Sequence, residues 1–142
     1  MAETKEQAPK QKQPSAPLSK WLPVVLVAWL VPGGGHFYLK RSGRGILLAV
    51  SITIMFLLGI MMRGAMFEPM RGDLLTTIIY YGGFLADLAS GLLYLLTVWL
   101  GYSQPEVAGH VHDYGTKFLV AAGLMNVLAM VDAFEIVSGR KS

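Results

Sequence analysis

Pro32-Gly33-Gly34-Gly35-His36-Phe37-Tyr38-Leu39-Lys40-Arg41 decides how this chain folds. The run that contains it, Trp21 to Leu39, carries no Lys, Arg, Asp or Glu. As one helix it would reach roughly 28 Å, barely a hydrocarbon core. Proline and three glycines do not suit a helix interior, so the helix breaks there. The run is then either a short span ending near Val31 or a re-entrant segment that turns back inside the bilayer. Irregular backbone at that depth must be covered by protein or water, because lipid satisfies no N–H or C=O group. After the break, Gly33, Gly34 and Gly35 give way to an aromatic edge (His36, Phe37, Tyr38) and a basic one (Lys40, Arg41, Arg44), which reads as an interface turn. A crossing is the expected outcome, because Trp21 and the His36-Phe37-Tyr38 group bracket the run like interface anchors.

Three more apolar runs follow: Gly45 to Met62, Leu74 to Tyr102 and Thr116 to Val137. The second lies between Arg44 and Arg63 and is long enough to span; the third is longer still. Arg63 to Asp73 and Ser103 to Gly115 read as connectors, and Pro23 suits a first helical turn. Residues 1–20 are polar, rich in Lys, Gln, Pro and Ala, and read as a disordered tail. Residues 21–142 form one membrane-embedded domain. The expected fold class is therefore all-α: an integral membrane bundle of about four hydrophobic helices, the first short or broken at Pro32–Gly35.

Composition agrees. Of 142 residues, 54% are apolar and 15% charged, against roughly 25% charged in soluble domains. The net charge of +3 comes from Lys and Arg that flank apolar runs. They point to the lipid bilayer as partner, and nucleic acid is not expected. The absence of Cys removes disulfides, thiolate metal sites and cysteine nucleophiles. Lys and Arg divide eight against four whether four runs cross or three. Both counts put the N-terminus in the cytoplasm and leave the side of the C-terminus open.

Asp87 lies near the midpoint of the third run, where an ionised carboxylate must face protein or water. Thr76, Tyr80, Gly83, Asp87, Ser90, Gly91 and Tyr94 fall on one stripe if that run is a single helix, with Ile78, Leu85, Leu92 and Leu96 opposite. The fourth run offers a matching face of Ala122, Asn126, Ala129 and Ala133. Asp132 and Glu135 lie toward Arg140 and are expected to snorkel or pair near the interface. Asp87 is either a proton or cation site or a strut bonded by Asn126, Tyr80, Tyr94, His36 or a basic loop residue. The strut is the preferred expectation, because transporters use repeats and paired broken helices, and only one broken segment is legible.

Other chemistry is weaker. His110-x-His112-Asp113 with Glu106 contains metal-ligand types, but zinc takes three or four arranged ligands, so a solvated loop and no metal are expected. Gly33-Gly34-Gly35 lacks the spacing and the preceding strand of a phosphate loop. Lys40, Arg41 and Arg44 can hold a lipid phosphate, or simply fix topology. No cofactor and no catalytic set is expected; a lipid-headgroup enzyme using His36 or the two loop histidines is the third option.

Pro32 to Arg41, followed by Gly43-Arg44-Gly45, resembles the Pro-Gly-x-Gly-His-x-Tyr-x-Gly-Arg signature of small bacterial membrane proteins related to the two-transmembrane domain family. Lys40 stands where the signature has Gly, and the residue that the two-transmembrane motif carries between His and Phe-Tyr is missing. Asn126 to Ala133, ending in Ser138-Gly139-Arg140, also resembles the closing helix of an uncharacterised bacterial membrane-protein family. The resemblance implies a compact helical module with close hairpin packing, in a bacterial inner membrane, and no enzyme activity. The expected function is a non-enzymatic accessory or assembly subunit that packs against a membrane-protein partner or a second copy; the alternative is a small proton- or cation-coupled transporter using Asp87.

Overall fold

The structure, a computed structural model, describes residues 16–104 and 109–141. Among them the chain forms six helices and no strand: α1 (Leu18–Leu30), α2 (Gly34–Tyr38), α3 (Ser42–Met61), α4 (Leu74–Ala89), α5 (Leu92–Trp99) and α6 (His110–Val137). Of these, α3 and α6 are long and apolar enough to cross a membrane, and the bent pair α4–α5 makes a third if taken as one span. Most residues 1–20 lie outside the described part, but α1 already begins at Leu18, so Pro23 sits inside the helix and not in its first turn.

The frame is an antiparallel pair. Ile52 and Phe56 of α3 share a core with Leu119, Ala122 and Ala129 of α6. At the far end of the pair, a methyl on Gly64 would lie 2.3 Å from the Gly115 carbonyl carbon, and one on Gly59 would strike Leu119 at 2.7 Å. Small residues there let the backbones close up.

Against this frame the first apolar run turns back. α1 runs antiparallel to α6, from the Trp21–Phe134 ring contact (5.3 Å) to Trp29, whose carbonyl meets Asn126. Val31 is extended and Gly33 is left-handed (φ 74°). α2 then lies back on α1. A Cβ on Gly34 would fall 2.6 Å from the Val27 oxygen, and one on Gly35 would fall 2.8 Å from the Cβ atoms of both Ala28 and Ala133. Through this turn α3 starts at the end of the bundle where α1 starts. The expected crossing by Trp21–Leu39 is thereby corrected: the glycines end a helix and also let the return helix pack on the one before it. Lys40, at the launch of α3, has φ 59°, the left-handed region in which the signature's glycine would be unstrained.

The third run is not one helix either. α4 runs parallel to α6, with the Ala86 carbonyl against Gly123 and Ala89 beside Asn126. At Ser90–Gly91 the chain bends by 102°. α5 then runs nearly perpendicular to α4 and packs on the connector that precedes α4: the Thr97 hydroxyl reaches Met66 Sδ, and the Tyr102 hydroxyl donates to the Gly64 carbonyl at 2.8 Å. The expected continuous stripe is split: Thr76, Tyr80, Gly83 and Asp87 stay on α4, and Tyr94 moves to α5. The bundle is thus two long helices with two broken hairpins, inserted from opposite ends.

The expected loop before the fourth run is also shorter, because α6 begins at His110. Glu106 lies outside the described residues. His110 and His112 sit on the first turn, where residues two apart diverge by about 200° instead of sharing a side. His112 Nδ1 donates to the Arg63 carbonyl at 2.7 Å.

Candidate functional site

The tips of the two hairpins meet beside the middle of α6. A helix leaves its last carbonyls without intrahelical partners, and here the two broken helices supply them to each other's neighbours. Trp29 Nε1 of α1 donates to the Leu88 carbonyl of α4 at 3.0 Å. Asn126 Nδ2 donates to the Trp29 carbonyl at 3.2 Å and to the Ala89 carbonyl at 2.8 Å. The approach requires glycine at the break. Gly91 has φ 63°, and a Cβ on it would lie 1.8 Å from the Trp29 oxygen. Two helix C-termini, each carrying roughly half a negative charge, therefore converge on one spot.

Asp87, Ser90 and Asn126 surround this joint, each with no exposed surface. Asp87 Oδ2 accepts the Phe67 backbone N–H at 2.7 Å. The ring of Phe67 fills the space left by Gly83, where a Cβ would meet it at 2.4 Å, and packs edge-on against Tyr80. The carboxylate is thus held by a connector amide. Of the partners expected from sequence, Asn126 serves the two helix ends, His36 serves Asp132, and Tyr94 packs edge-on against Phe84. Asp87 Oδ1, Ser90 Oγ and Asn126 Oδ1 find no hydrogen-bond partner among the described residues.

A second cluster closes the end from which α1 and α3 start. His36, fully buried on α2, places Nε2 2.7 Å from Asp132 Oδ2. Arg44 lies 3.9 Å from the same oxygen, and Lys141 pairs with the other. Asp132 thus ties α2, α3, α6 and the residues after α6 together. Lys40 and Arg41 make no ion pair among the described residues, whereas Arg44 faces Asp132. Phe37 lies over Gly45, while Tyr38 is exposed. Arg140 rests on the Phe134 ring and leaves Asp132 to other partners.

Sequence reasoning found Asp87 and Asn126 and placed Ser90 and Gly91 on the same stripe without the break there; it missed Trp29, Phe67 and Gly123. One signal was present: an indole N–H inside an apolar helix needs an acceptor, and none lies near Trp29 in sequence. A backbone donor such as that of Phe67 leaves no mark in the sequence.

No curated protein and no solved structure matches the chain. A family model matches residues 23–142, which takes in the first hairpin from Pro23 onward, the second hairpin, both long helices and every residue of the joint. The chain belongs to this family of unknown function (DUF6677).

Proposed function

We propose that the chain is a small multi-pass membrane protein that moves a proton or cation through the joint at Asp87. One observation carries this reading: two broken helices, inserted from opposite ends, meet tip to tip beside a buried carboxylate. Transporters build substrate and ion sites from discontinuous helices near the bilayer midplane, where half-helix C-termini favour cations. Asn126 lies eleven residues before the end of α6, or roughly 16 Å along its axis, about half of a 30 Å hydrocarbon core. The small and polar faces that suggested a membrane partner are consumed within the chain, since Ala122, Gly123, Asn126 and Ala133 pack against its own helices.

Charge supports an orientation. Lys20, Lys40, Arg41, Arg44, Arg140 and Lys141 lie at the end where α1 and α3 start; Arg63, Arg71 and Lys117 lie at the other. The positive-inside rule then assigns the first end to the cytoplasm, in a bacterial inner membrane if the Pro32–Arg41 signature is that of the small bacterial proteins it resembles. Reconstitution into liposomes tests the function. The wild type is expected to carry an ion flux that Asp87→Asn abolishes at normal abundance; undiminished flux in that variant contradicts the reading.

A second reading keeps the non-enzymatic accessory or assembly subunit. It is favoured by the exposed end of α5, where Trp99 is 82% and Leu100 69% exposed. Apolar surfaces of this kind are covered by lipid or by a partner; this reading takes the cover to be another membrane protein or a second copy. Crosslinking in the native membrane that captures one defined complex through Trp99 supports it; a lone chain counts against it.

A further inference from the structure

We infer that the joint holds a monovalent metal cation of the sodium class, with Asp87 Oδ1, Ser90 Oγ and Asn126 Oδ1 as its protein ligands. The inference rests on the transport reading and names its ion.

The three atoms are selected by their unmet valence. Each is buried and without a hydrogen-bond partner among the described residues, a condition that native proteins rarely leave unanswered. Only His36 Nδ1 shares it, and that atom belongs to the Asp132 cluster. The three selected atoms are all oxygens, the donor type hard cations take. The identity of the Asn126 oxygen is fixed by its surroundings. Its amide nitrogen donates to two carbonyls, which a flipped amide could not do, so the acceptor side faces away from both helix ends.

Placement puts the three residues at one contact between α4 and α6. Asp87 and Ser90 are three residues apart and share one side of α4. Ser90 lies close to α6 because residue 123 is glycine: a Cβ there would meet Ser90 Oγ at 3.3 Å and the Ala86 oxygen at 1.7 Å. Asn126 follows Gly123 by one turn and bonds Ala89, the neighbour of Ser90. The α1 and α4 C-termini add negative potential from two directions. No Lys, Arg or His pairs with Asp87 among the described residues.

Charge then limits the ion to a monovalent one, and three oxygen lone pairs suit a hard cation. One carboxylate balances one positive charge; a divalent ion would leave an uncompensated charge in the membrane interior. A proton on Asp87 neutralises the acid and, with the Ser90 hydroxyl proton, supplies two donors to the cluster; it is the competing occupant, which sodium binding separates from a metal ion. A sodium-class ion answers all three at once.

The test is equilibrium binding of radioactive sodium to the purified full-length protein in detergent, against choline chloride as the inert salt. Saturable binding of one ion per chain is expected, lost in Asp87→Asn. Ser90→Ala removes one ligand with little change in volume and is expected to weaken binding by about tenfold, the size of one lost contact to a charged group. Sodium is also expected to raise the unfolding temperature of the wild type relative to choline, and to do so less in Ser90→Ala, which keeps the proposal testable if Asp87→Asn fails to fold. Absence of saturable binding in a folded wild type that still moves protons through Asp87 overturns the sodium inference and leaves the transport reading intact. Equal sodium affinity in the wild type and Ser90→Ala overturns the proposed ligand set.

Discussion

Replacing Gly123 with alanine places one methyl group at the closest contact between α4 and α6. That methyl would lie 1.7 Å from the Ala86 carbonyl oxygen and 2.6 Å from its carbon. Ordinary C···O contacts are about 3.3 Å, so α4 must retreat by roughly 1.6 Å. The obstacle is backbone, which has no rotamer to escape into. The retreat pulls the Ala89 carbonyl away from Asn126 Nδ2, a bond of 2.8 Å that then passes out of hydrogen-bond range. Overpacking costs about 1–3 kcal/mol, and a buried acceptor stripped of its donor costs about 1–3 kcal/mol more. The expected loss is about 2–6 kcal/mol, a large share of the ~5–15 kcal/mol that typically holds a domain together. Gly82, on α4, meets nothing within 4 Å, and its alanine variant should gain about 0.5–1 kcal/mol from helix propensity. Unfolding of both variants in mixed micelles, followed by far-UV circular dichroism as denaturing detergent is added, gives the comparison. A Gly123→Ala protein within about 0.5 kcal/mol of the wild type would refute the packing of α4 on α6, and with it the joint.

A double-mutant cycle on His36→Ala and Asp132→Asn should return a coupling of about 1–3 kcal/mol, because His36 is fully buried and its partner is 2.7 Å away. Lys141→Ala, which removes a half-exposed partner of the same carboxylate, should cost no more than about 1 kcal/mol; the reverse order would remove His36 from the core. Trp29→Phe strips the Leu88 carbonyl of its indole donor and should destabilise by about 1 kcal/mol in the same unfolding assay. Lys40→Gly should stabilise by about 1 kcal/mol by relieving a left-handed backbone, and a loss of stability would contradict that conformation.

What could be read from the sequence follows lipid and backbone chemistry. The Arg44 and Arg63 boundaries locate α3, and the proline and glycines of Pro32–Gly35 announce the first break. Asp87 and Asn126 stand out because polar groups inside apolar runs need partners. The second break could not be read in the same way. A lone glycine in an apolar run costs only about 1 kcal/mol in a helix, and Gly91 breaks α4 because the Trp29 carbonyl occupies the space of a Cβ. That cause lies about sixty residues away in the chain. The start of α6 was misplaced for a related reason: hydropathy records where lipid ends, and His110 to Gly115 continue the helix beyond it. The His36–Asp132 pair spans 96 residues and becomes visible only once α2 folds back.

The central claim is that both broken hairpins return to the end from which they start. The chain has no cysteine, so single cysteines at Lys20, Arg41, Gly72 and Ser103 can be labelled one at a time with a membrane-impermeant maleimide in oriented vesicles. Lys20 and Arg41 should label together from one side, and Gly72 and Ser103 together from the other. Labelling of Lys20 and Arg41 from opposite sides would show that the first apolar run crosses the bilayer, and would contradict the two-hairpin architecture.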